Sequence, residues 1–155
     1  AEQTGLSRTE AKQMIDSYYE NYPKLKIFMT EQVEKARKNG FVETILGRKR
    51  HLKDINSNNF VVRGHAERNA VNAPIQGSAA DIIKVAMINI DKALSEGGFK
   101  TKMLLQVHDE LLFEVPEEEI EPIKALIKEK MEFAMKTKVP LIVEVGVGNN
   151  WLEAH

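Results

Sequence analysis

Met103-Leu104-Leu105-Gln106-Val107-His108-Asp109-Glu110-Leu111-Leu112-Phe113-Glu114-Val115 is the stretch that decides the fold, because it places an acidic centre between two short apolar segments. Apolar runs of this length predict strands, and the polar residues between them predict the connection of an antiparallel pair. Helical patterns precede and follow the pair along the chain. We therefore expect an α+β fold, in which a helical portion is followed by an antiparallel sheet that is backed by helices on one face.

The polar centre, His108-Asp109-Glu110, is the first candidate site. Carboxylates are costly to bury in a sheet unless they are paired or bind a metal ion. Since side chains alternate along a strand, Asp109 would point to one face and its neighbours to the other, so that one carboxylate faces a site and the other supports it. A polar hairpin turn exposed to solvent is the alternative. Gln106 lies in an apolar strand and needs a hydrogen-bond partner, which either the core or a substrate could supply.

The elements next to the strand pair follow from glycine, proline and charge. A helix is predicted from about Gln76 to Glu96, where Gly97-Gly98 ends it. After the strands, a helix is predicted from Glu117 to about Lys138, because acidic residues favour a helix N-terminus. Pro140 then precedes a predicted strand over Leu141 to Val147.

The first half of the chain is mainly helical. Ser7-Arg8-Thr9-Glu10 is a capping box and predicts a helix that ends near Asn21. Pro23 interrupts this helix, and a second amphipathic stretch that includes Leu25 is predicted to continue to Gly40. A third helix is predicted from Asn59 or Phe60 to Ala73, where Pro74 should end or kink it. The first helix has apolar residues at three- and four-residue spacing, which predicts a buried face that includes its tyrosines: Ala11, Met14, Ile15, Tyr18, Tyr19 and Tyr22.

Two polar surfaces of this half are candidates for binding nucleic acid. Residues 41–46 and 48–52 predict a β-hairpin whose cationic tip, Arg48-Lys49-Arg50-His51, suits either a phosphate partner or a solubilising loop. Arg68, Asn72 and Gln76 recur every fourth residue, so a helix would place them on one side. Their donors suit phosphates, sugars and base edges, and a solvated helix stripe is the alternative.

Composition and charge exclude several classes of protein. The chain has 155 residues and no cysteine, which excludes disulfide scaffolds and Cys-based zinc sites, and an intracellular compartment fits. No window approaches the roughly 18 apolar residues of a membrane helix, and the first residues lack a signal-peptide pattern. Residues 1–72 contain 13 Lys/Arg against 9 Asp/Glu, or +4, and residues 73–155 contain 9 against 14, or −5. This asymmetry suits a nucleic-acid backbone at one half and a divalent cation at the other, or it is ordinary surface patterning.

The motifs together resemble those of the family A DNA polymerases, the bacterial DNA polymerase I type. The resemblance extends over the whole chain, because several spaced motifs occur in the family's order. It also includes Tyr22-Pro23 and an ending that looks like a natural C-terminus of the family. The motifs are Val42 to Arg48, Arg68 to Asp81, Gln106 to Glu110, Val139-Pro140-Leu141, Val143 to Gly146, and Asn150-Trp151 to Ala154-His155.

The resemblance implies a right-hand polymerase in which residues 1–75 are part of the fingers and residues 76–155 are part of the palm. His108-Asp109-Glu110 would be a palm motif: Asp109 a ligand of catalytic Mg²⁺, Glu110 an acidic neighbour that shapes the site, and His108 a contact near the primer end. The residues expected to contact DNA are Arg68, Asn72 and Gln76, near the nascent base pair, Gln106, near the primer terminus, and Arg48, in the fingers hairpin.

The implied enzyme acts in DNA replication and repair in the bacterial cytoplasm, at the nucleoid. Its partners would be primer-template DNA and deoxynucleoside triphosphates, and its cofactors two Mg²⁺ ions. The family's second metal-binding Asp and its triphosphate-binding fingers helix precede the matched motifs and are not in this sequence. We therefore expect these 155 residues alone to bind Mg²⁺ weakly or not at all and to be inactive, and an exposed sheet edge to permit pairing with a second copy. A non-catalytic module that binds primer-template DNA is the alternative.

Overall fold

The computed structural model describes residues 5–155, which form an α+β structure as predicted from the sequence. The chain divides into two compact units, Ala1–Ile75 and Gln76–His155. Each unit has one two-stranded antiparallel sheet. The elements in chain order are α1 (Arg8–Asn21), α2 (Pro23–Asn39), β1 (Phe41–Glu43), β2 (Lys49–His51), α3 (Phe60–Gly97), β3 (Lys102–Val107), β4 (Glu110–Glu114), a 3₁₀ turn (Glu117–Glu119), α4 (Ile120–Glu132) and α5 (Trp151–Ala154).

Local sequence determines the ends of the first two helices. The amide of Glu10 donates to Ser7 Oγ at 3.3 Å, and the amide of Ser7 donates to Glu10 Oε2 at 2.8 Å, so the predicted capping box is present. Pro23 occupies the start of α2, where its missing N–H leaves no helical hydrogen bond unmade. Gly40 ends α2 at a φ of 78°, a left-handed conformation that glycine adopts without strain.

The apolar face of α1 is exposed, so the prediction that it is buried was wrong. No residue of α1 is buried among residues 5–155, and Met14, Ile15, Tyr18 and Tyr22 are each more than half exposed. The Tyr18 and Tyr22 rings pack on each other, with centroids 5.0 Å apart. The spacing correctly identified an apolar side of the helix, but α2 covers only part of it: Tyr19 is half-buried and its hydroxyl donates to Met29 Sδ at 3.4 Å.

The core of the first unit lies between α2, the β1–β2 hairpin and the first turns of α3. Val42 pairs with Arg50 across the hairpin and turns its side chain inward, while the cation remains exposed. The arms are shorter than predicted, because residues 44–48 form the connection, in which Gly47 has a φ of 77° and its amide donates to the Thr44 carbonyl at 2.9 Å. The buried residues of this core are Ala36, Val42, Leu52, Ile55, Ala66 and Ala70.

One helix, α3, spans Phe60–Gly97 and contains Pro74, where the sequence predicted that the helix would end or kink. A proline inside a helix removes one backbone hydrogen bond and crowds the preceding turn, at a cost of about 3 kcal/mol. Packing on both sides of Pro74 offsets this cost, because Ala66 and Ala70 lie in the core of the first unit, and Ile90 and Leu94 in that of the second. The predicted end at Gly97-Gly98 is confirmed, with Gly98 at a φ of 66°.

In the second unit, helices back one side of the β3–β4 hairpin. Ile90 and Leu94 of α3 pack with Ile123 and Ile127 of α4, and half-buried side chains of both strands join them. The register pairs Gln106 with Leu111 and Val107 with Glu110, and an irregularity lies between Met103 and Leu105. The strand-side members of this cluster are Met103, Leu111 and Phe113.

Two predicted elements after the hairpin differ in the structure. The helix α4 ends at Glu132 rather than near Lys138, and Leu141–Val147 is not a strand. Side chains of this segment alternate between half-buried and exposed, as in a strand, with Ile142 80% exposed. Its backbone is not paired with any strand among residues 5–155, and the amide of Val143 instead donates to Glu132 Oε1 at 3.1 Å. The alternating pattern was correct, but a strand also needs a partner.

The described residues include no helix that is both long enough and apolar enough to span a membrane.

Candidate nucleic-acid and metal site

The acidic centre forms the turn of the β3–β4 hairpin. Val107 and Glu110 are the last paired residues, so His108 and Asp109 form a two-residue connection and Glu110 begins β4. His108 has a φ of 51°, a left-handed conformation that costs a non-glycine residue roughly 1–2 kcal/mol. The side chains of all three residues are exposed. Of the two arrangements that the sequence left open, the structure has the exposed hairpin turn.

Gln106 braces this turn from β3. Its Nε2 donates to the carbonyl oxygen of His108 at 2.6 Å, which satisfies one backbone acceptor of the connection. Gln106 is itself exposed, so of the two partners proposed from the sequence the core is not the one it uses. This hydrogen bond restrains His108, the residue with the left-handed backbone, in addition to the strand pairing on either side of the turn.

The other end of β3 is fixed by Glu119 from the 3₁₀ turn. Glu119 Oε1 accepts from the amide of Lys100, and Oε2 accepts from the amide of Thr101, each at 2.9 Å. Thr101 Oγ1 also donates to Oε2 at 2.7 Å. The hydrogen bond from the Lys100 amide, followed by that from the Thr101 hydroxyl, lowers the pKa of Glu119, because both favour the ionised form. Glu119 therefore fixes the residues that lead into β3, the strand that ends at the acidic turn.

The oxygen donors of the turn fit part of a magnesium site. Mg²⁺ is commonly held by one or two carboxylates together with waters and substrate phosphates. Asp109 and Glu110 are exposed and adjacent, so their carboxylates can reach such an ion from the turn. Among residues 5–155 there is no cluster of three or more His, Asp or Glu side chains that could hold a metal ion. The donor set suits one ligand position and does not fill the coordination of two ions.

His155 contacts the acidic turn, which sequence reasoning missed. Its Nδ1 lies 3.3 Å from Glu110 Oε1. The sequence had suggested no role for His155, because the two residues lie far apart in the chain and share no local pattern. Only the fold could reveal this pair.

Arg68, Asn72 and Gln76 are exposed on α3, the helix on which their spacing was predicted to place them on one side. Arg68 and Asn72 lie in the first unit and Gln76 begins the second, all within the one helix. Within the described residues Arg68 has no acidic partner, whereas Arg37 and Arg63 both approach Glu67 Oε1, at 2.6 and 3.7 Å. The positive charge of Arg68 is therefore available to an anion. The spacing itself remains compatible with a solvated stripe.

The tip of the β1–β2 hairpin also presents cations to solvent. Arg48, Lys49 and Arg50 are exposed. Lys49 is partly engaged, because its Nζ lies 3.9 Å from Glu43 Oε1 and 4.4 Å from the centroid of the Phe41 ring. The amide of Arg48 donates to Thr44 Oγ1 at 3.2 Å, which fixes its backbone in the connection.

Comparison with known proteins places this site in a family. The model of DNA polymerase family A matches residues 1–153. The chain belongs to the family A DNA polymerases. The resemblance inferred from its motifs is thereby confirmed.

Curated relatives of the family A chain include DNA polymerase I of Streptococcus pneumoniae serotype 4, which is 56% identical over 150 residues. DNA polymerase I of Lactococcus lactis subsp. cremoris is 54% identical over 154 residues, and that of Mycobacterium tuberculosis H37Rv is 50% identical over 151. These matches cover 97%, 99% and 97% of this chain but only 17%, 18% and 17% of the relatives. The chain thus spans less than a fifth of the length of these polymerases.

A solved structure of the family has the same fold over almost the whole chain. The POL domain of Pol1 from M. smegmatis, in complex with DNA primer-template and dNTP, superposes with a TM-score of 0.97 at 48% identity. The match covers 99% of this chain and 27% of that one.

Proposed function

We propose that this chain supplies part of the fingers, residues 1–75, and part of the palm, residues 76–155, of a template-directed DNA polymerase. The complete enzyme would transfer a nucleotide to the 3′-hydroxyl of a primer. The observation that carries the proposal is the exposed Asp109 carboxylate in a braced hairpin turn of a family A chain. The similar Pol1 domain, a complex with primer-template and dNTP, supports the same partners here.

Each candidate residue has a role in this proposal. Asp109 would be one ligand of catalytic magnesium, with Glu110 beside it shaping the charge of the site. His108 and Gln106 would lie near the primer terminus. Arg68, Asn72 and Gln76 would hold the template and primer close to the nascent pair. Arg48 would contact the DNA backbone from the fingers hairpin.

Phosphoryl transfer explains why these residue types are needed. Magnesium held in part by Asp109 would lower the pKa of the attacking hydroxyl and would neutralise charge on the triphosphate and the leaving pyrophosphate. Asp109 would hold the magnesium ion at the turn, and the Gln106–His108 hydrogen bond would keep the turn in one conformation. Arg68 would bind phosphate, and the amides of Asn72 and Gln76 would contact sugars or bases without choosing a sequence. Such contacts suit an enzyme whose specificity comes from base pairing.

The 155-residue chain by itself should not extend a primer. A two-metal reaction needs ligands on both sides of the ion pair. The described residues contain the adjacent carboxylates of one turn and no cluster of three ligands. We therefore expect weak magnesium binding and no nucleotide transfer by the chain alone.

A non-catalytic DNA-binding role is the second candidate. The specific observation in its favour is the unpaired charge of Arg68 in the described structure, together with the exposed cations at Arg48, Lys49 and Arg50. Such a surface would bind primer-template through phosphates, with strong salt dependence. The two roles differ in their need for Asp109: nucleotide transfer requires its carboxylate, whereas DNA binding does not.

A second copy of the chain could pair with the β3–β4 hairpin. Each strand of this hairpin has one edge without a partner strand among residues 5–155. Leu104 and Leu105 of β3 are 54% and 46% exposed, which adds apolar area along the strand. Unprotected edges of this kind favour strand addition, so we include self-association in the proposal.

Primer extension and fluorescence anisotropy of the 155-residue chain with labelled primer-template test these proposals. We expect no extension with magnesium and all four nucleotides, and binding that Arg68→Ala weakens. Arg37→Ala is the matched control, because the charge of Arg37 is already paired with Glu67. Extension that Asp109→Ala abolishes would refute the inactivity of the chain alone. Absence of binding at low salt would refute the DNA-holding role.

A further inference from the structure

The contact between His155 and the acidic turn has no part in the roles described above. His155 Nδ1 lies 3.3 Å from Glu110 Oε1, and Glu110 follows Asp109 directly. Both side chains are partly accessible, at 70% and 46%. A contact between two exposed side chains contributes little by itself, so its value depends on how firmly each partner is held.

The segment that presents His155 is fixed by its own hydrogen bonds. Asn150 Oδ1 accepts from the amide of Glu153 at 3.1 Å and caps α5. In return Glu153 accepts from Asn150 Nδ2 at 2.7 Å, and from the amide and Nδ2 of Asn149 at 3.0 and 3.2 Å. The Asn149 amide, followed by the two asparagine side chains, lowers the pKa of Glu153. The carboxylate is thus held ionised in a small polar network.

Two glycines allow α5 to lie close against the chain that precedes it. A Cβ at residue 146 would overlap the carbonyl oxygen of Ala154. A Cβ at residue 148 would lie 2.6 Å from Glu153 Cβ and 2.8 Å from the Ala154 amide nitrogen. Both contacts are closer than real Cβ atoms approach, and backbone atoms take part in them. Glycine is therefore required at both positions for α5 to pack here, and the position of α5 determines the position of His155.

We infer that His155 is a positioning residue for the acidic turn: seated by Gly146, Gly148 and the Asn150 cap, it holds the Glu110 carboxylate and thereby restrains Asp109. This inference rests on the proposed role of Asp109 as a metal ligand. The neutral Nδ1–H tautomer and the protonated ring both place a donor at Nδ1, so the contact needs no particular charge on His155. Gln106 restrains the same turn from the strand side, through the His108 carbonyl. The turn would thus be held from two sides.

Backbone amide NMR of the metal-free 155-residue chain tests the positioning itself. His155→Ala should lower the order parameters of the Asp109 and Glu110 amides. His155→Asn should restore them, because its Nδ2 offers a donor at the position of the imidazole Nδ1. Gly148→Ala should reproduce the effect of His155→Ala with the imidazole still present. Lys124→Ala is the matched control, since it removes another exposed pair of 3.3 Å, with Glu121, on α4.

Mn²⁺ titration, followed by paramagnetic broadening of the same amides, tests the consequence for a metal ion. We expect His155→Ala to weaken apparent Mn²⁺ affinity about two- to fivefold, the range of an exposed ion pair, and His155→Asn to restore it. Asp109→Ala should abolish the site-specific broadening. Methyl signals of Ile90 and Ile123, both in the core of this unit, report whether each variant remains folded.

The outcomes separate this inference from the proposed function. Unchanged order parameters in His155→Ala, or equal loss in His155→Ala and His155→Asn, would overturn the positioning role. If that occurred while Asp109→Ala still abolished the broadening, the metal role of Asp109 would stand. Unchanged broadening in Asp109→Ala would refute the proposed metal ligand, and the order parameters would still decide whether His155 restrains the turn.

Discussion

Replacement of Arg68 by alanine should change how DNA binding depends on salt. Arg68 is exposed and has no acidic partner within residues 5–155, so it offers one full positive charge to a phosphate. Each phosphate contact to a duplex contributes about 0.9 to the slope of log affinity against log salt. Loss of one contact should therefore lower the slope by about 0.9. Over a fourfold rise in salt, from about 50 to about 200 mM, the wild-type chain should lose about 3.5-fold more affinity than Arg68→Ala.

The assay is fluorescence anisotropy of labelled primer-template at several salt concentrations. Arg37→Ala should leave the slope close to that of the wild type, because Arg37 Nη2 lies 2.6 Å from Glu67 Oε1 and its charge is already compensated. Equal slopes for wild type and Arg68→Ala would refute the assignment of Arg68 to a phosphate. An equal fall in the Arg37 and Arg68 variants would show that overall charge, and not the α3 face, determines binding.

Three further predictions concern stability and assembly. Ile123→Ala should lower the free energy of unfolding by about 2–5 kcal/mol, because Ile123 is 1% exposed in the core behind the β3–β4 hairpin. Urea denaturation measures this change, with Lys124→Ala as the control variant. Because its pKa is lowered in the fold, Glu119 stabilises the folded state above the ordinary glutamate pKa of 4.5, and this stabilisation is lost as the pH falls below 4.5. Glu119→Gln should therefore flatten the decline of the free energy of unfolding between neutral and acidic pH. An unchanged decline would contradict the role of Glu119. Self-association, if it uses the open edge of β3, should weaken in Leu104→Lys, and sedimentation that is independent of concentration in the wild type would contradict it.

Local capping signals predicted the start of α1 and the ends of α2 and α3 well. The Ser7 capping box and the glycines after α2 and α3 act through their own backbone neighbours, so they need no knowledge of the fold. The same holds for the acidic turn, because polar residues between two apolar segments have few other arrangements. Pro74 is the exception: its local cost was read correctly, but tertiary packing along α3 outweighed it.

Periodicity identified apolar sides without showing what covers them. The tyrosine face of α1 and the alternating segment Leu141–Val147 both have the predicted pattern, yet one is exposed and the other lacks a ladder. A pattern of spacing is a property of one element, whereas burial and pairing require a second.

For the candidate site as well, local motifs could be predicted from the sequence, whereas contacts that depend on the fold could not. The motif around Asp109 and the four-residue spacing of Arg68, Asn72 and Gln76 are visible in the sequence. The contact of His155 with Glu110 joins residues distant in sequence, and no local pattern predicts it. The bond from Gln106 to the His108 carbonyl likewise depends on the conformation of the turn.

We propose that this chain contributes a working part of a polymerase site. A chimera tests this proposal, in which this chain replaces the corresponding residues of S. pneumoniae DNA polymerase I, 56% identical over 150 residues. We predict that the chimera extends a primer with magnesium, that Asp109→Ala abolishes extension, and that Asp91→Ala, an exposed aspartate on α3, leaves it intact. A folded chimera that does not extend, or extension that survives Asp109→Ala, would contradict the account.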